Sequence, residues 1–193
     1  MAPTLPDLLR EGLDLVFIGI NPSMFSVQQG HYFARRTNRF WPCFSRSKLG
    51  QRIRRATGLQ ALLPMHDLML LDHGIGFTDV AKRPSARASE LTRDELAAGV
   101  VDLVAKLQRY RPRVACFHGM MGYRPVHRIL APDDTTPALG LQTVMIGDTH
   151  LFVVPNPSPA NAHFTPDQQT EWYDALEEWI AASDPVLRRS RKE

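Results

Sequence analysis

Hydrophobic residues recur along this chain in two rhythms. Residues 13–20, LDLVFIGI, are nearly continuous in apolar and β-branched side chains, the pattern of a strand buried on both faces, and the run stops at Gly19-Ile20-Asn21-Pro22. Residues 74–80, GIGFTDV, repeat the pattern with a polar end, and residues 113–119, RVACFHG, form a third short run after Pro112. Residues 143–146 and 151–154 flank Gly147-Asp148-Thr149-His150 and predict a hairpin.

Between these runs the spacing becomes helical. Ser89 is placed to cap a helix in which Leu96, Val100, Leu103, Val104 and Leu107 recur, ending before Pro112. Asn38 can cap a shorter helix through Arg39-Phe40-Trp41-Pro42, since proline in the first turn loses no hydrogen bond. A helical stretch is expected over residues 123–130. Thr165-Pro166-Asp167-Gln168 combines a capping threonine, a proline at the first helical position and a glutamine that reaches back, and Trp172, Leu176, Trp179 and Ile180 follow as an apolar stripe. Strands separated by helices predict an α/β sandwich around a mostly parallel central sheet, with ligands outside the carboxyl ends of the strands.

Those ends carry polar or restrained residues: Asn21-Pro22-Ser23, Thr78-Asp79, His118-Gly119 and Pro155-Asn156-Pro157-Ser158-Pro159. Proline fixes its own φ and biases the preceding residue towards extended geometry, which holds Asn21 and Asn156 in defined orientations. An aimed amide can hold a water; the plainer reading is an ordinary turn.

A chain of 193 residues with 44% hydrophobic composition suits one domain over 1–193, with a core over about 13–181 and a basic tail at 184–193. The net charge is +3, but basic residues cluster at Arg35-Arg36 and at Arg188-Arg189-Ser190-Arg191-Lys192, which admits either a polyanionic partner or a solvated surface. Cys43 and Cys116 are too few for a four-thiolate centre or a disulfide framework, and Cys116 sits in an apolar run. His31, His118 and His150 lack ligand-like spacing, so no metal site is expected, and His118 reads as a satisfied turn residue. The start MAPTLPDLLREG has no export pattern, and a reducing, cytoplasmic location is expected.

Residues 19–41, GINPSMFSVQQGHYFARRTNRFW, closely resemble the first motif of the mismatch-specific uracil/thymine-DNA glycosylases, a branch of the uracil-DNA glycosylase superfamily. Residues 74–84, GIGFTDVAKRP, resemble that branch's second strand and loop, SELTRDELAAG continues into its helix, and VVPNPSP at 153–159 is similar to its last motif. The resemblance runs from about residue 13 to residue 179 in the family's order. It implies a three-layer α/β/α fold and a monomeric, monofunctional enzyme that flips uracil out of double-stranded DNA, preferably from G·U mispairs. Hydrolysis of the N-glycosidic bond would leave an abasic site, with no cofactor, no metal and no membrane.

By the same resemblance, Asn21 would position the attacking water and Phe33 would stack on the extruded base. Gly19, Ile20, Pro22, Ser26 and Asn38 would border that base, and Asn38 can equally cap its helix. Phe33 has a plainer alternative as a loop anchor. Arg35, Arg36, Lys82, Asn156, Pro157, Ser158, Pro159, Ala160 and Asn161 would meet the DNA, chiefly its backbone. The stretch Pro159-Ala160-Asn161-Ala162-His163-Phe164 departs from the family in having small residues where a wedge is expected, with Asn161 or His163 left for that role.

Asp79 departs further. The family commonly has a lysine or an asparagine there, and an amide such as Asn21 is not a base. A carboxylate facing the pocket could take a proton from water and stabilise a cationic sugar, which makes Asp79 a second candidate catalytic group. Its alternative is a local bond, or a pair with Lys82 or Arg83. The rival functions are a broader glycosylase acting on A·U pairs and single strands, and a DNA-binding module without catalysis. A nucleotide-binding enzyme is disfavoured because the glycine-rich phosphate fingerprint is missing after the first strand.

Overall fold

Among the described residues, five strands form one mixed sheet in the order β2-β1-β3-β5-β4. They are β1 Leu15–Gly19, β2 Ile75–Asp79, β3 Val114–His118, β4 Gly140–Ile146 and β5 Thr149–Val154, and the computed structural model describes residues 3–132 and 137–183. The basic tail expected at 184–193 lies outside the described residues. β2, β1, β3 and β5 run parallel, and only β4 is antiparallel, as the hairpin partner of β5. The turn between them is shorter than expected, because Thr149 and His150 already belong to β5.

Alternation along the strands splits the core into two layers. Leu15 and Phe17, Ile75 and Phe77, and Val114 and Cys116 pack beneath helices α2 Phe40–Arg46, α3 Lys48–Thr57 and α6 Pro166–Ser183. Val16, Ile18, Ala115 and Phe117 meet α4 Arg93–Tyr110 and α5 Met120–Leu130 on the other face. This is the three-layer α/β/α sandwich expected from the sequence. Among the described residues, no helix is long and apolar enough to cross a membrane.

Several boundaries differ from the sequence reading for local reasons. α4 is capped by Thr92, not Ser89: Thr92 and Glu95 exchange side-chain and backbone bonds as a capping box, whereas Ser89 sits in a short 3-10 turn. The residue flanking α2 is Arg39, and Asn38 serves it from one position earlier by accepting the Phe40 N–H at 2.8 Å. Thr165 and Gln168 do form the reciprocal cap of α6. α1 Met24–Gln29 and α3 were not anticipated, because α1 is a turn and a half and α3 reads as a basic cluster with Leu49 and Ile53 buried.

The core also starts earlier than residue 13. Leu5 is buried, and Leu8 exchanges both backbone hydrogen bonds with Phe77 along the outer edge of β2. The N-terminal segment thus covers what would be an open sheet edge.

Gly99 marks where α4 crosses closest to the sheet. A Cβ there would drive into the Val80 carbonyl, just beyond the end of β2. Gly99→Ala is expected to destabilise the protein by about 2–3 kcal/mol, measured by chemical denaturation, because the clash is with backbone that cannot swing away.

Candidate active site

The carboxyl ends of three parallel strands converge on one cleft of about 560 Å³. Gly19 and Asp79 are register partners at the ends of β1 and β2, and His118 ends β3. Alternation places Asp79 in the row of Ile75 and Phe77, and His118 in the row of Val114 and Cys116, so both face the α2 and α6 side. Gly19 lies between. A side chain there would collide with Asp79 Oδ1 and come within 3.7 Å of Phe33 Cζ, so the missing Cβ is what lets carboxylate and ring share the space.

Asn21 follows β1 into the cleft. Its Nδ2 donates to the Arg83 carbonyl at 2.9 Å and to Ser85 Oγ at 2.8 Å, and the Ser85 hydroxyl in turn donates to the Arg87 carbonyl at 2.7 Å. A carbonyl only accepts, so the nitrogen end of the amide must face Arg83, leaving Oδ1 for the cleft. The Arg83 side chain is itself forked onto Glu95, whose carboxyl is drawn down to about 2 chiefly by that hydrogen bond. The cap of α4 and the aim of Asn21 therefore share one strut.

Phe33 has φ +52°, a left-handed conformation that costs a bulky residue about 1 kcal/mol or more and persists only where its surroundings impose it. Asp67 imposes it from one side, accepting the Tyr32 N–H at 2.9 Å and meeting His31 Nδ1 at 3.1 Å. Ser26 Oγ accepts the Ala34 N–H at 3.3 Å from the other. The Phe33 ring stacks on Phe40 at 4.5 Å between centroids and meets His118 edge-on at 5.0 Å, while remaining half-buried at the cleft wall.

Asp79 is only 3% exposed, and its Oδ2 has no hydrogen-bond partner. Lys82 Nζ lies 3.6 Å from that oxygen, near enough for attraction and too far for a good hydrogen bond. Burial pushes the Asp79 carboxyl up to about 7; Lys82 and Lys106 oppose the rise, and the Asp7 carboxylate reinforces it. The alternative pair with Arg83 is not formed, since Arg83 belongs to Glu95. His118, 2% exposed, shares the cleft; burial pushes it down to about 3, so it is neutral, with Nε2 3.1 Å from the Tyr173 hydroxyl.

Of the other residues singled out from the sequence, Gly19, Ile20, Pro22, Ser26 and Asn38 line the cleft, as do Arg35, Asn156, Ser158, Pro159 and Ala160 towards its mouth. Four do not. Arg36 is exposed outside it, and Pro157 is turned inward, its carbonyl accepting the Arg39 N–H at 2.9 Å. Asn161 spends its amide on the Asn156 carbonyl at 3.0 Å, which closes the turn. Lys82 points into the molecule, 2.9 Å from Asp7 and 3.3 Å from the Tyr32 hydroxyl, because the half-buried Asp7 carboxylate outcompetes solvent for its charge.

Sequence reading missed Ser85, His118, Asp7 and Tyr32. Ser85 stands one position beyond the family-like stretch 74–84, and His118 reads from sequence as a satisfied turn residue. It ends its strand as the sequence predicts, and the inward parity it shares with Cys116 is the signal that places its ring in the cleft. Met121, at the start of α5, is 54% exposed at the mouth.

A family model described as the uracil DNA glycosylase superfamily matches residues 6–179. The chain is also similar to the solution NMR structure of a candidate uracil DNA glycosylase from Methanosarcina acetivorans. The TM-score is 0.55 at 23% identity, over 92% of this chain and 96% of that one, a likeness of fold.

The buried carboxyl predicts a stability signature. Its folded pKa, about 7, stands above its ordinary value of 3.8, so the group costs nothing where both states are protonated. Between those values the unfolded chain releases the proton and the folded one keeps it, and stability declines as pH rises. Asp79→Asn is therefore expected to melt several degrees above wild type at about pH 8 and to match it below about pH 4. An equal difference at both pH values contradicts the burial argument.

Proposed function

The chain belongs to the uracil DNA glycosylase superfamily, and from that premise we propose that it flips uracil out of double-stranded DNA and hydrolyses its N-glycosidic bond as a mismatch-specific member. One observation carries the reading: Asn21, Phe33 and Asp79 line a single cleft at the strand ends. An extruded base needs an aromatic face, and Phe33 offers one, backed by Phe40.

The chemistry then follows from the two polar groups. Asn21 Oδ1 accepts a hydrogen bond from a water and aims its oxygen at the anomeric carbon of the deoxyribose. As the C1′–N1 bond breaks, its electron pair leaves with the base and the sugar acquires oxocarbenium character. The water oxygen bonds to C1′ and gives its proton to Asp79, whose negative charge also steadies the cationic sugar. Uracil leaves as the anion and takes up a proton, and an abasic site remains. A pKa near 7 suits this role, since the carboxylate is then basic enough to accept the proton while still substantially ionised at neutral pH.

Ser158, Pro159 and Ala160 at the mouth are small, so the turn after β5 offers little to force a well-paired base out of the stack. Excision should then follow the ease of extrusion, which is greatest at a mispair. That favours G·U over A·U and fits the branch whose motifs the chain resembles. The buried base Asp79 favours a second, broader reading, in which A·U pairs and single strands are also processed. A binding module without catalysis has no use for a carboxylate kept buried with an oxygen that no donor hydrogen-bonds.

Single-turnover excision from duplexes carrying one uracil, read by alkaline cleavage at the product site, tests these statements. Asn21→Ala and Asp79→Ala are each expected to lower the rate by about 10²–10⁴-fold. G·U duplexes are expected to react at least about tenfold faster than A·U duplexes. A wild-type rate in Asp79→Ala removes Asp79 from the mechanism, and equal rates on G·U and A·U transfer the protein to the broader class.

A further inference from the structure

Asp7 lies in the N-terminal segment that pairs with the outer edge of β2, outside the motifs that carry the family resemblance. Its carboxylate gathers donors from three places. Thr78 Oγ1 reaches Oδ1 at 2.7 Å, Lys82 Nζ reaches the same oxygen at 2.9 Å, and Lys106 Nζ from α4 reaches Oδ2 at 2.7 Å. Burial acts to raise the Asp7 pKa, but the two ammonium groups outweigh it and hold the carboxyl below its ordinary value, so it stays charged. Lys82 consequently stands between two carboxylates, 2.9 Å from Asp7 and 3.6 Å from Asp79 Oδ2, with the Tyr32 hydroxyl as a third neighbour at 3.3 Å.

We propose that Asp7 is a positioning residue for excision: it draws the Lys82 ammonium onto itself and so holds that cation at a distance that steadies the Asp79 carboxylate without hydrogen-bonding it. The inference rests on the reading of Asp79 as the proton acceptor. A direct Lys82–Asp79 hydrogen bond would occupy Oδ2 and weaken it as a base, whereas removal of Lys82 would leave a buried charge with less compensation. Asp7 sets the compromise between the two. Lys106 anchors Asp7 from the other side, so the segment, α4 and the loop after β2 act on the site together.

Among the described residues, few other titratable groups bear on Asp79. Lys82, Asp7 and Lys106 form the chain just described. Tyr32, from the loop after α1, is pushed up by burial and by Asp79 itself and keeps its proton. His118 on β3 is neutral, and Arg35 and Arg87 line the same cleft.

The test is the pH dependence of single-turnover excision by full-length protein on a G·U duplex. Activity requires ionised Asp79, so the acid limb follows its pKa. Asp7→Asn releases Lys82 towards Asp79 and removes a negative charge. The limb should move down by about one pH unit, and the plateau rate should fall about tenfold. Lys82→Met should move the limb up by a similar amount, and in that background Asp7→Asn should move it much less. A merely structural role for Asp7 would lower the rate at every pH without displacing the limb, and thermal melts identify that case.

If Asp7→Asn does not fold, Asp7→Ser, which keeps a hydrogen-bonding partner for Thr78 but carries no charge, takes its place with the same expected displacement. Limbs coincident with wild type in the folded variants, beside an Asp79→Ala variant that is inactive, overturn the role of Asp7 and leave that of Asp79 standing. A wild-type rate in Asp79→Ala instead overturns the reading on which the inference rests.

Discussion

A carboxylate buried at the end of a central strand, with one oxygen unpartnered, is the constraint that organises this protein. Removing a charge from water costs several kcal/mol unless partners replace the hydration, and Asp79 receives only a cation standing off at 3.6 Å. Its surroundings follow from that. Gly19 has no side chain because the carboxylate fills the space a Cβ would need, and Phe33 is held in a strained conformation so that its ring closes the same corner. Stability is given up locally and recovered in the two apolar layers of the sandwich.

The parallel sheet supplies the precision. Register pairing of Gly19 with Asp79 fixes their separation through backbone hydrogen bonds, and the alternation that buries Phe17, Phe77 and Cys116 aims Asp79 and His118 to the same side. Around this rigid floor the loops are tied down one by one. Arg83 and Ser85 orient Asn21, Asp67 orients the Tyr32–Phe33 turn, and Arg39 bonds the carbonyls of Asn161 and Phe164 to hold the turn after β5 against α2. These ties spend donors on carbonyls, a carboxylate and the Ser85 hydroxyl, so the orientation of each functional group is fixed by chemistry as well as by packing.

Much of this is legible in the amino-acid sequence. The buried runs at 13–20, 74–80 and 113–119 became β1, β2 and β3, and the Thr165–Gln168 box became the cap of α6, because both signals are local and repeat a known period. The convergence of Asn21, Phe33 and Asp79 followed from motif resemblance together with the rule that sites lie beyond strand ends. What escaped was non-local. Lys82 looked like a surface base until Asp7, 75 residues earlier, appeared beside it. Ser89 looks like the cap of α4 until Thr92 is paired with Glu95, its reciprocal partner three residues on. His118 was judged as a turn residue when its parity along β3 already turned it inward, and Asp67 carried no signal at all, since its role depends on a loop folded back across 35 residues.

The central claim, that a lone pyrimidine occupies the cleft between Phe33 and Asp79, is tested most directly by a crystal structure with a duplex bearing a non-hydrolysable uridine analogue opposite guanine. The account predicts the base out of the helix with its face on Phe33, and a water bound to Asn21 Oδ1 within hydrogen-bond reach of Asp79. A base still stacked in the duplex, or lodged where Asp79 and Asn21 cannot share a water, would contradict it.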